Sequence, residues 1–255
     1  MTNTSQPESV SPIPNSNEND EKTVLQAQAD QYRQQHNELL EEYEQLLKEM
    51  KRKKIESFEE LAEHDKDSVK ILIQLAQLTP AAPMEGNNIG LFGSTSTGKS
   101  TMLNALLGKQ NIEPGAAQTG VGETTKEVKA YPGTGFTLWD VPGRNDEISY
   151  LSMECISFFK GLTQRLILIT ATVKENSSMM KLLDELGLKY SIVFNKFDKV
   201  DEEEQSSVKE QIHKEIKDLG LKQVDKVFFV SAKCPTSFPD WSALNQHLNN
   251  FSFSS

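Results

Sequence analysis

A glycine-rich segment in the first half of the sequence has the spacing needed to bind phosphate groups. It follows the pattern G-x-x-x-x-G-K-[ST] and consists of Gly93, Ser94, Thr95, Ser96, Thr97, Gly98, Lys99 and Ser100. Glycines let the backbone wrap around a phosphate with its amide groups pointing inward, and a helix N-terminus stabilises the negative charge. We expect Lys99 to reach the β- and γ-phosphates and the Ser100 hydroxyl to ligate Mg²⁺. An apolar stretch before the motif and an apolar helical pattern after it supply the context that the motif requires, which disfavours a chance match.

A second segment supplies a carboxylate and a glycine at the end of another predicted strand. Trp139-Asp140-Val141-Pro142-Gly143 contains the pattern D-x-x-G. We expect Asp140 to hold Mg²⁺ directly or through water, and the Gly143 amide to approach the γ-phosphate because glycine has no Cβ. The pattern alone is a weak signal. It gains weight because it follows Gly93 by 47 residues in the same predicted sheet.

The small-residue loop between these motifs, residues 119–125, is a candidate switch element. A threonine there could close over Mg²⁺ and the γ-phosphate. The sequence leaves three candidates, Thr119, Thr124 and Thr125. We place Thr125 with the metal ligands and catalytic residues, and Thr119 with the nucleotide contacts.

Recognition of the base is predicted for the pattern N-K-x-D at Asn195, Lys196 and Asp198. An ionised Asp198 accepts two hydrogen bonds, which suits the guanine N1–H and exocyclic amino group, whereas adenine has no matching pair of donors. Asn195 is expected to bond the base on its other side, and the aliphatic stem of Lys196 to cover the ring. The pattern therefore favours GTP and disfavours a P-loop ATPase.

A fourth segment, Ser231-Ala232-Lys233, ends the last predicted strand 36 residues after Asn195. Its backbone amides are expected to meet the guanine carbonyl oxygen. The four segments follow one another in this order, each at a strand end, and so predict a guanine-nucleotide site at the carboxyl edge of a sheet. Thr101, next to Ser100, completes the candidate nucleotide-binding residues.

Alternating strands and helices are predicted beyond residue 87. The strand candidates are Asn88–Phe92, Phe136–Trp139, Arg165–Thr172, Ser191–Phe194 and Val227–Val230. The helix candidates are 99–107, 149–161, 177–187, 203–219 and 239–251. This alternation predicts an α/β fold, a P-loop NTPase G domain with a mostly parallel sheet and helices on both faces, spanning residues 86–255.

The N-terminal third has a different pattern. Residues 1–22 are rich in Ser, Asn, Pro and Glu and are predicted to be disordered. Residues 23–85 are predicted to form a helical region and a linker, with one long helix over 23–54 and a second helical region from a capping box at Ser57 to about Thr79. The long helix carries apolar residues at alternating spacings of four and three, at Leu25, Ala29, Tyr32, His36, Leu39, Tyr43, Leu46 and Met50. This stripe could form a coiled coil with its own copy, bind another chain or pack on the C-terminal domain.

Composition excludes several functional classes. The net charge of −10 argues against non-specific nucleic-acid binding, and most of it lies in residues 1–85, which carry −8, whereas residues 86–255 carry −2. Two cysteines cannot form a disulfide framework, which indicates a reducing compartment. The sequence has no secretory signal, no myristoylation site and no run of about 18 apolar residues. We therefore expect a cytoplasmic location.

These motifs resemble those of the immunity-related GTPases, a group of dynamin relatives within the translation-factor-related class of P-loop GTPases. The resemblance covers residues 86–251 well and the preceding helices loosely. Beyond the nucleotide motifs it includes Gly115–Val121 with Glu123-Thr124-Thr125, Thr137–Gly143, and Ser237–Trp241. That group often has Thr-Lys-x-Asp for base recognition and usually continues into a C-terminal helical domain. This sequence has Asn195 and ends at Ser255, so a fragment, a short paralogue and a divergent relative all remain open.

The resemblance implies hydrolysis of GTP to GDP and phosphate with Mg²⁺, self-association through the G domain and a role in innate immunity. Association with intracellular membranes is implied by family analogy alone. The water-positioning glutamine of many small GTPases is replaced by Arg144, a candidate arginine finger or a surface charge. We therefore expect slow intrinsic turnover that accelerates when two nucleotide faces meet in a dimer. The alternative is a GTP-loaded scaffold with negligible hydrolysis that recruits a helical partner through residues 23–54.

Overall fold

The structure is a computed structural model. It describes residues 16–53, 55, 57–109, 117, 128–142 and 150–249. For residues 16–21 and 36 it describes the backbone alone. The helices of the described chain are α1 Ser16–Lys53, α2 Phe58–His64, α3 Lys66–Leu78, α4 Lys99–Leu106, α5 Met153–Gly161, α6 Ser177–Glu185, α7 Gln205–Asp218 and α8 Asp240–Asn249. Its strands are β1 Asn88–Phe92, β2 Lys129–Pro132, β3 Thr137–Asp140, β4 Gln164–Ile169, β5 Tyr190–Phe194 and β6 Val224–Phe229. Most of these bounds agree with the predicted ones to within a few residues.

The strands form one sheet in the order β2-β3-β1-β4-β5-β6. All neighbouring pairs are parallel except β2 and β3, which run antiparallel. The α/β prediction is confirmed, and β1 lies at the centre with every residue buried. The central position places the phosphate loop, which leaves the carboxyl end of β1, between the loops that follow β3 and β5.

Two predictions about the strands need correction. The edge strand β2 was not predicted, because it is short, mostly exposed and ends in Pro132, and so has no apolar alternation. Strand β4 ends at Ile169 and not at Thr172. Beyond Ile169 the chain turns, since the amides of Thr170, Ala171 and Thr172 all donate to the carboxylate of Glu175.

Apolar residues cover both faces of the sheet. On one face, side chains of β1, β4 and β5 pack against α4 and α8; the buried residues here include Ile89, Leu91, Leu166, Leu168, Val193, Met102, Leu103 and Leu244. On the other face the sheet packs against α5, α6, α7 and the N-terminal helices, with Phe92, Ile167, Ile169, Phe159, Met180, Ile212, Leu72 and Leu75 buried. The alternation of residues along each strand thus fills two separate apolar layers.

Helix α1 begins at Ser16, earlier than the predicted start at residue 23. Residues 16–22 of the predicted disordered tail are therefore helical, and residues 1–15 lie outside the described chain. No proline or glycine occurs between Ser16 and Lys53, so nothing interrupts the backbone hydrogen bonds of the helix. The polar composition of residues 16–22 indicated disorder, but the exposed polar end of a long helix has the same composition.

Among the described residues, α1 packs on the rest of the chain through its second half. Tyr43, Leu46 and Met50 are buried in the apolar core, and the Tyr43 hydroxyl donates to the carbonyl of Leu151. In the first half, exposed fractions reach 56% for Val24, 64% for Leu25 and 68% for Tyr32. The sequence left three partners open for this helix: its own copy, another chain and the C-terminal domain. Contact with the C-terminal domain is observed in the described residues, for the second half of the helix.

The predicted second helical region is divided into α2 and α3 at Asp65. The Asp65 carboxylate accepts hydrogen bonds from the amides of Asp67 and Ser68, both at 3.1 Å, and these bonds lower its pKa. Such bonding is typical of a helix N-cap, so α3 starts afresh at Lys66. The predicted cap of α2 is confirmed, since the Ser57 hydroxyl accepts from the Glu60 amide at 3.1 Å.

Helices α2 and α3 are attached to the C-terminal α/β domain by polar contacts as well as by the apolar core. The Phe58 amide donates to the Ser178 hydroxyl at 2.9 Å, and the Lys160 ammonium donates to the carbonyls of Ala76 at 3.0 Å and Thr79 at the end of α3. A cation at a helix C-terminus interacts favourably with the helix dipole. These contacts join the predicted N-terminal region to helices α5 and α6.

A buried arginine holds the turn between α5 and β4. Arg165 is 6% exposed, and its guanidinium donates to the carbonyls of Phe159, Leu162 and Lys189. No carboxylate offsets its burial among the described contacts, and burial lowers its pKa to about 10. Its hydrogen bonds therefore satisfy the carbonyls of the buried residues Phe159 and Leu162 and reach that of Lys189, just before β5.

Arg165→Met is expected to lower the free energy of unfolding by about 3 kcal/mol, because methionine fills similar space but leaves these carbonyls without donors. Urea denaturation followed by circular dichroism measures the loss. Arg52→Met is the matched control, because the Arg52 side chain is 74% exposed and its ion pair with Glu49 lies on the surface. A loss below about 1 kcal/mol in Arg165→Met would contradict the role given to this residue.

Candidate functional site

The phosphate loop connects the carboxyl end of β1 to the first turn of α4, as predicted. Gly98 has a φ of 92°, and a Cβ there would lie 2.6 Å from the Asn195 amide nitrogen, so a larger residue does not fit. Ser96 also has a positive φ, 71°. Within the loop the Thr97 hydroxyl donates to the Ser94 carbonyl at 2.9 Å. This curled backbone has the form that phosphate binding requires.

Lys99 lies folded back over this loop. Its ammonium donates to the carbonyl of Gly93 at 2.8 Å and of Ser94 at 3.3 Å. Burial lowers its pKa, and the nearby Asp140 carboxylate partly offsets that effect. An ammonium has three N–H donors, so one remains for a phosphate oxygen after these two contacts.

Ser100 and Asp140 supply the chemistry of a magnesium site. Ser100 and Thr101 lie half-buried in the first turn of α4, and Asp140 ends β3 and is buried. Strands β3 and β1 are neighbours, with Asp140 paired to Leu91, which places the carboxylate beside the phosphate loop. A serine hydroxyl and a carboxylate are oxygen ligands of the kind that Mg²⁺ prefers, so the residues present fit the ion.

Five predicted residues lie outside the described chain: Thr119, Thr124, Thr125, Gly143 and Arg144. Their roles in metal binding, γ-phosphate contact and hydrolysis stay predictions.

Asn195 connects the phosphate loop to the base-recognition segments. It is 1% exposed; its amide nitrogen donates to the Thr97 carbonyl at 2.8 Å, and its oxygen accepts from the Ala232 amide at 3.0 Å. The sequence assigned this side chain to direct contact with the base. In the structure both of its polar atoms meet backbone groups of neighbouring loops, so the side chain bridges these loops. Its contact with the base stays a prediction.

The residues after Asn195 form a tight turn anchored by an aromatic side chain. Phe197 is buried, its amide donates to the Val230 carbonyl at 3.0 Å, and its ring contacts that of Phe229 with centroids 5.1 Å apart. Lys196 has a φ of 60° and its ammonium reaches the Ser96 carbonyl at 2.5 Å. Asp198 is exposed at the rim of the turn. The turn thus presents the Asp198 carboxylate to a ligand while fixing its backbone.

The segment Ser231-Ala232-Lys233 follows β6 and lies next to Asn195. Ser231 is buried and its hydroxyl accepts from the Cys234 amide at 3.1 Å, whereas Lys233 is exposed. The Ala232 amide donates to the side-chain oxygen of Asn195. The predicted hydrogen bond from this segment to the guanine carbonyl would therefore come from the backbone amide of Ser231 or Lys233.

Sequence reasoning missed Asn104, whose side chain bonds to the backbone of Ala117 at both of its polar atoms. A signal was present in the sequence. Asn104 is a polar residue on the apolar side of a short helix, four positions after Ser100.

The described residues also bear on metal clusters, disulfides and membrane-spanning helices. No group of three or more His, Cys, Asp and Glu side chains there could hold a metal ion. Cys155 and Cys234 are half-buried free thiols. Within the described ranges, the helices are too short or too polar to cross a bilayer.

The parallel sheet, the lysine-bearing phosphate loop and the N-K-x-D turn beside it define a P-loop nucleotide-binding domain of the GTPase type. The chain belongs to the interferon-inducible GTPase (IIGP) family, whose sequence model matches residues 53–250. The resemblance to immunity-related GTPases is thereby confirmed.

Relatives match parts of the chain. T-cell-specific guanine nucleotide triphosphate-binding protein 2 of Mus musculus is 32% identical over 162 residues, which cover 59% of this chain and 38% of that protein. Interferon-inducible GTPase 5 of Rattus norvegicus is 48% identical over 58 residues, 22% of this chain and 12% of that protein. The match therefore spans well under half of the length of either relative. Translation elongation factor SelB of Methanococcus maripaludis aligns with a TM-score of 0.44 at 20% identity, over 66% of this chain and 34% of that structure.

Proposed function

We propose that this chain binds GTP and hydrolyses it to GDP and phosphate with Mg²⁺. The observation that carries the proposal is the Asn195 bridge, which ties the phosphate loop at Thr97 to the Ala232 loop and so joins the phosphate and base subsites. Membership of the interferon-inducible GTPase family supports it.

Each subsite has a defined task in this proposal. Lys99 places a positive charge where the β- and γ-phosphates bind, and Ser100 and Asp140 would hold Mg²⁺. The ion, when bound, neutralises charge on the phosphate oxygens. Asp198 would accept the two guanine donors, and the backbone turn anchored by Phe197 keeps this carboxylate in place.

Two finer features belong to the same proposal. Turnover is slow in the isolated chain, because Arg144 follows the D-x-x-G motif in place of a water-positioning glutamine. Self-association through the nucleotide faces accelerates it. We also propose a cytoplasmic location and a role in cell-autonomous immunity, the latter supported by the names of the relatives.

The test is phosphate release from GTP and Mg²⁺ over a hundredfold range of protein concentration. Specific activity per molecule is expected to rise with concentration and to vanish in Lys99→Ala. A specific activity that stays flat over this range would remove self-activation from the proposal. Activity retained in Lys99→Ala would contradict the assigned site.

The exposed half of α1 favours a second candidate function. Val24, Leu25 and Tyr32 form an apolar stripe that the described chain leaves uncovered, as expected for a scaffold that recruits a helical partner. Tight GTP binding with no turnover at any protein concentration would favour this scaffold over the enzyme.

A further inference from the structure

An aromatic cluster surrounds the buried Phe197 ring of the base-recognition turn. The centroid of this ring lies 5.4 Å from that of Phe194 and 5.1 Å from that of Phe229. These two partners end the neighbouring strands β5 and β6. A third partner, Phe238, meets the Phe197 ring edge-on, with the centroids 5.6 Å apart and the planes at 64°. Phe238 therefore contacts the turn from outside the sheet.

The backbone around Phe238 is anchored on both sides. Two residues later, the Asp240 carboxylate accepts a hydrogen bond from the Phe229 amide at 2.8 Å, at the end of β6. One residue earlier, the Ser237 amide donates to the Cys234 carbonyl at 3.1 Å. Cys234 directly follows the segment that is predicted to meet the guanine carbonyl. The Phe238 ring is thus fixed to the loop after β6 while it packs on the turn after β5.

The contact between Phe197 and Phe238 joins the two base-recognition segments on their apolar side. On the polar side, the same segments are joined by the hydrogen bond between Asn195 and the Ala232 amide. Phe197 directly precedes Asp198, whose exposed carboxylate is expected to accept two guanine hydrogen bonds. Because two hydrogen bonds to one planar edge require a defined orientation of the carboxylate, the packing of the adjacent ring bears on base recognition.

We propose that Phe238 is a positioning residue for guanine recognition. By packing on the Phe197 ring, it holds the turn so that the Asp198 carboxylate meets both donors of the guanine edge. This inference rests on the proposed function, since it concerns the same nucleotide site. Phe238 contacts no part of the nucleotide in this role and acts through Phe197.

A purely structural role makes a different prediction. Hypoxanthine, the base of inosine nucleotides, has the N1–H and the carbonyl of guanine but lacks the exocyclic amino group. If Phe238 only stabilises the fold, its removal weakens the binding of guanosine and inosine nucleotides to the same extent. If Phe238 positions Asp198, a guanosine nucleotide has two hydrogen bonds to lose and an inosine nucleotide has one. The ratio of the two affinities therefore separates the two roles.

The experiment measures dissociation constants of the full chain for GDP and IDP, both with Mg²⁺, by isothermal titration. Wild type is expected to bind GDP at least about tenfold more tightly than IDP, because IDP lacks one donor to the carboxylate. In Phe238→Ala this ratio is expected to fall to about threefold or less, mainly through weaker binding of GDP.

Phe158→Ala is the matched control. Phe158 is half-buried like Phe238, and its ring meets that of Trp139 edge-on, with the centroids 5.5 Å apart and the planes at 78°. It lies in α5 and packs against β3, whereas the base-recognition segments follow β5 and β6 in the other half of the sheet. The melting temperature is expected to fall in this variant with the ratio of GDP to IDP affinity unchanged.

Phe238→Leu provides a second variant should Phe238→Ala not fold. Leucine keeps an apolar side chain against Phe197 but removes the edge-on ring contact, so a smaller fall in the affinity ratio is expected. An unchanged ratio in both variants, or in the one that folds, overturns the positioning role and leaves the proposed function standing. An equal fall in Phe158→Ala does the same. A wild-type chain that binds neither nucleotide overturns both.

Discussion

Lys99→Ala is expected to lower the affinity for GTP by at least about 100-fold and to abolish phosphate release. The N–H that Lys99 keeps for a phosphate oxygen makes a charge-assisted hydrogen bond of about 1.5–3 kcal/mol, and its charge attracts the neighbouring phosphate as well, so the loss is about 3 kcal/mol. Each 1.4 kcal/mol is a factor of about ten in affinity. Isothermal titration with GTP and Mg²⁺ measures the change in binding.

The same substitution is expected not to destabilise the folded protein without nucleotide. Burial lowers the pKa of Lys99, which means that the folded state disfavours its charged form. Replacing it removes that penalty along with the hydrogen bonds to the Gly93 and Ser94 carbonyls, and their loss costs less than at Arg165 because Lys99 is only half-buried. The melting temperature of the free protein should therefore stay level or rise while binding is lost.

Lys222→Ala controls for the loss of a lysine, because the Lys222 side chain is 73% exposed and its ion-pair distance to Glu185 is 4.0 Å. GTP affinity in this variant should match that of wild type. Equal losses in the two variants would show that the effect arises from net charge and not from the phosphate loop.

Asp198→Asn is expected to change the preferred base from guanine to xanthine. Guanine presents two donors, N1–H and the exocyclic amino group, and a carboxylate accepts from both. An asparagine offers one acceptor and one donor, which match the N1–H and the C2 carbonyl of xanthine. Each mismatched buried pair costs about 1–3 kcal/mol, so GTP affinity should fall roughly 100-fold and XTP affinity should rise by a similar factor.

Little change in stability should accompany this switch, because Asp198 is exposed while Phe197 holds the turn, with its amide donating a hydrogen bond to the Val230 carbonyl. Competition of GTP, XTP and ATP against a fluorescent nucleotide gives the relative affinities. Asp201→Asn, the same change three residues further along at an exposed position, should leave the preference for GTP intact. A preference for GTP that survives Asp198→Asn would show that another group reads the base.

The amino-acid sequence by itself determined the order of the nucleotide motifs and the alternation of strands and helices. Asn88–Phe92 is a strand at its predicted bounds, and the phosphate loop joins it to α4. Both follow from local patterns, since a run of apolar residues, a glycine spacing and a helical period are all readable over a few residues. The cap at Ser57 is local in the same sense.

Only the tertiary structure decided which side chains join segments that are distant in the sequence. Asn195 forms hydrogen bonds with Thr97 and Ala232, and Asn104 forms them with Ala117. Packing of the sheet and α4 brings the backbone groups of these partners within 3.0 Å of the two asparagine side chains. The docking of the second half of α1 has the same origin. Its apolar stripe is uniform in the sequence, yet the described side chains of the stripe are buried where α3 and Leu151 lie opposite, since burial depends on what lies opposite a side chain and not on its own period.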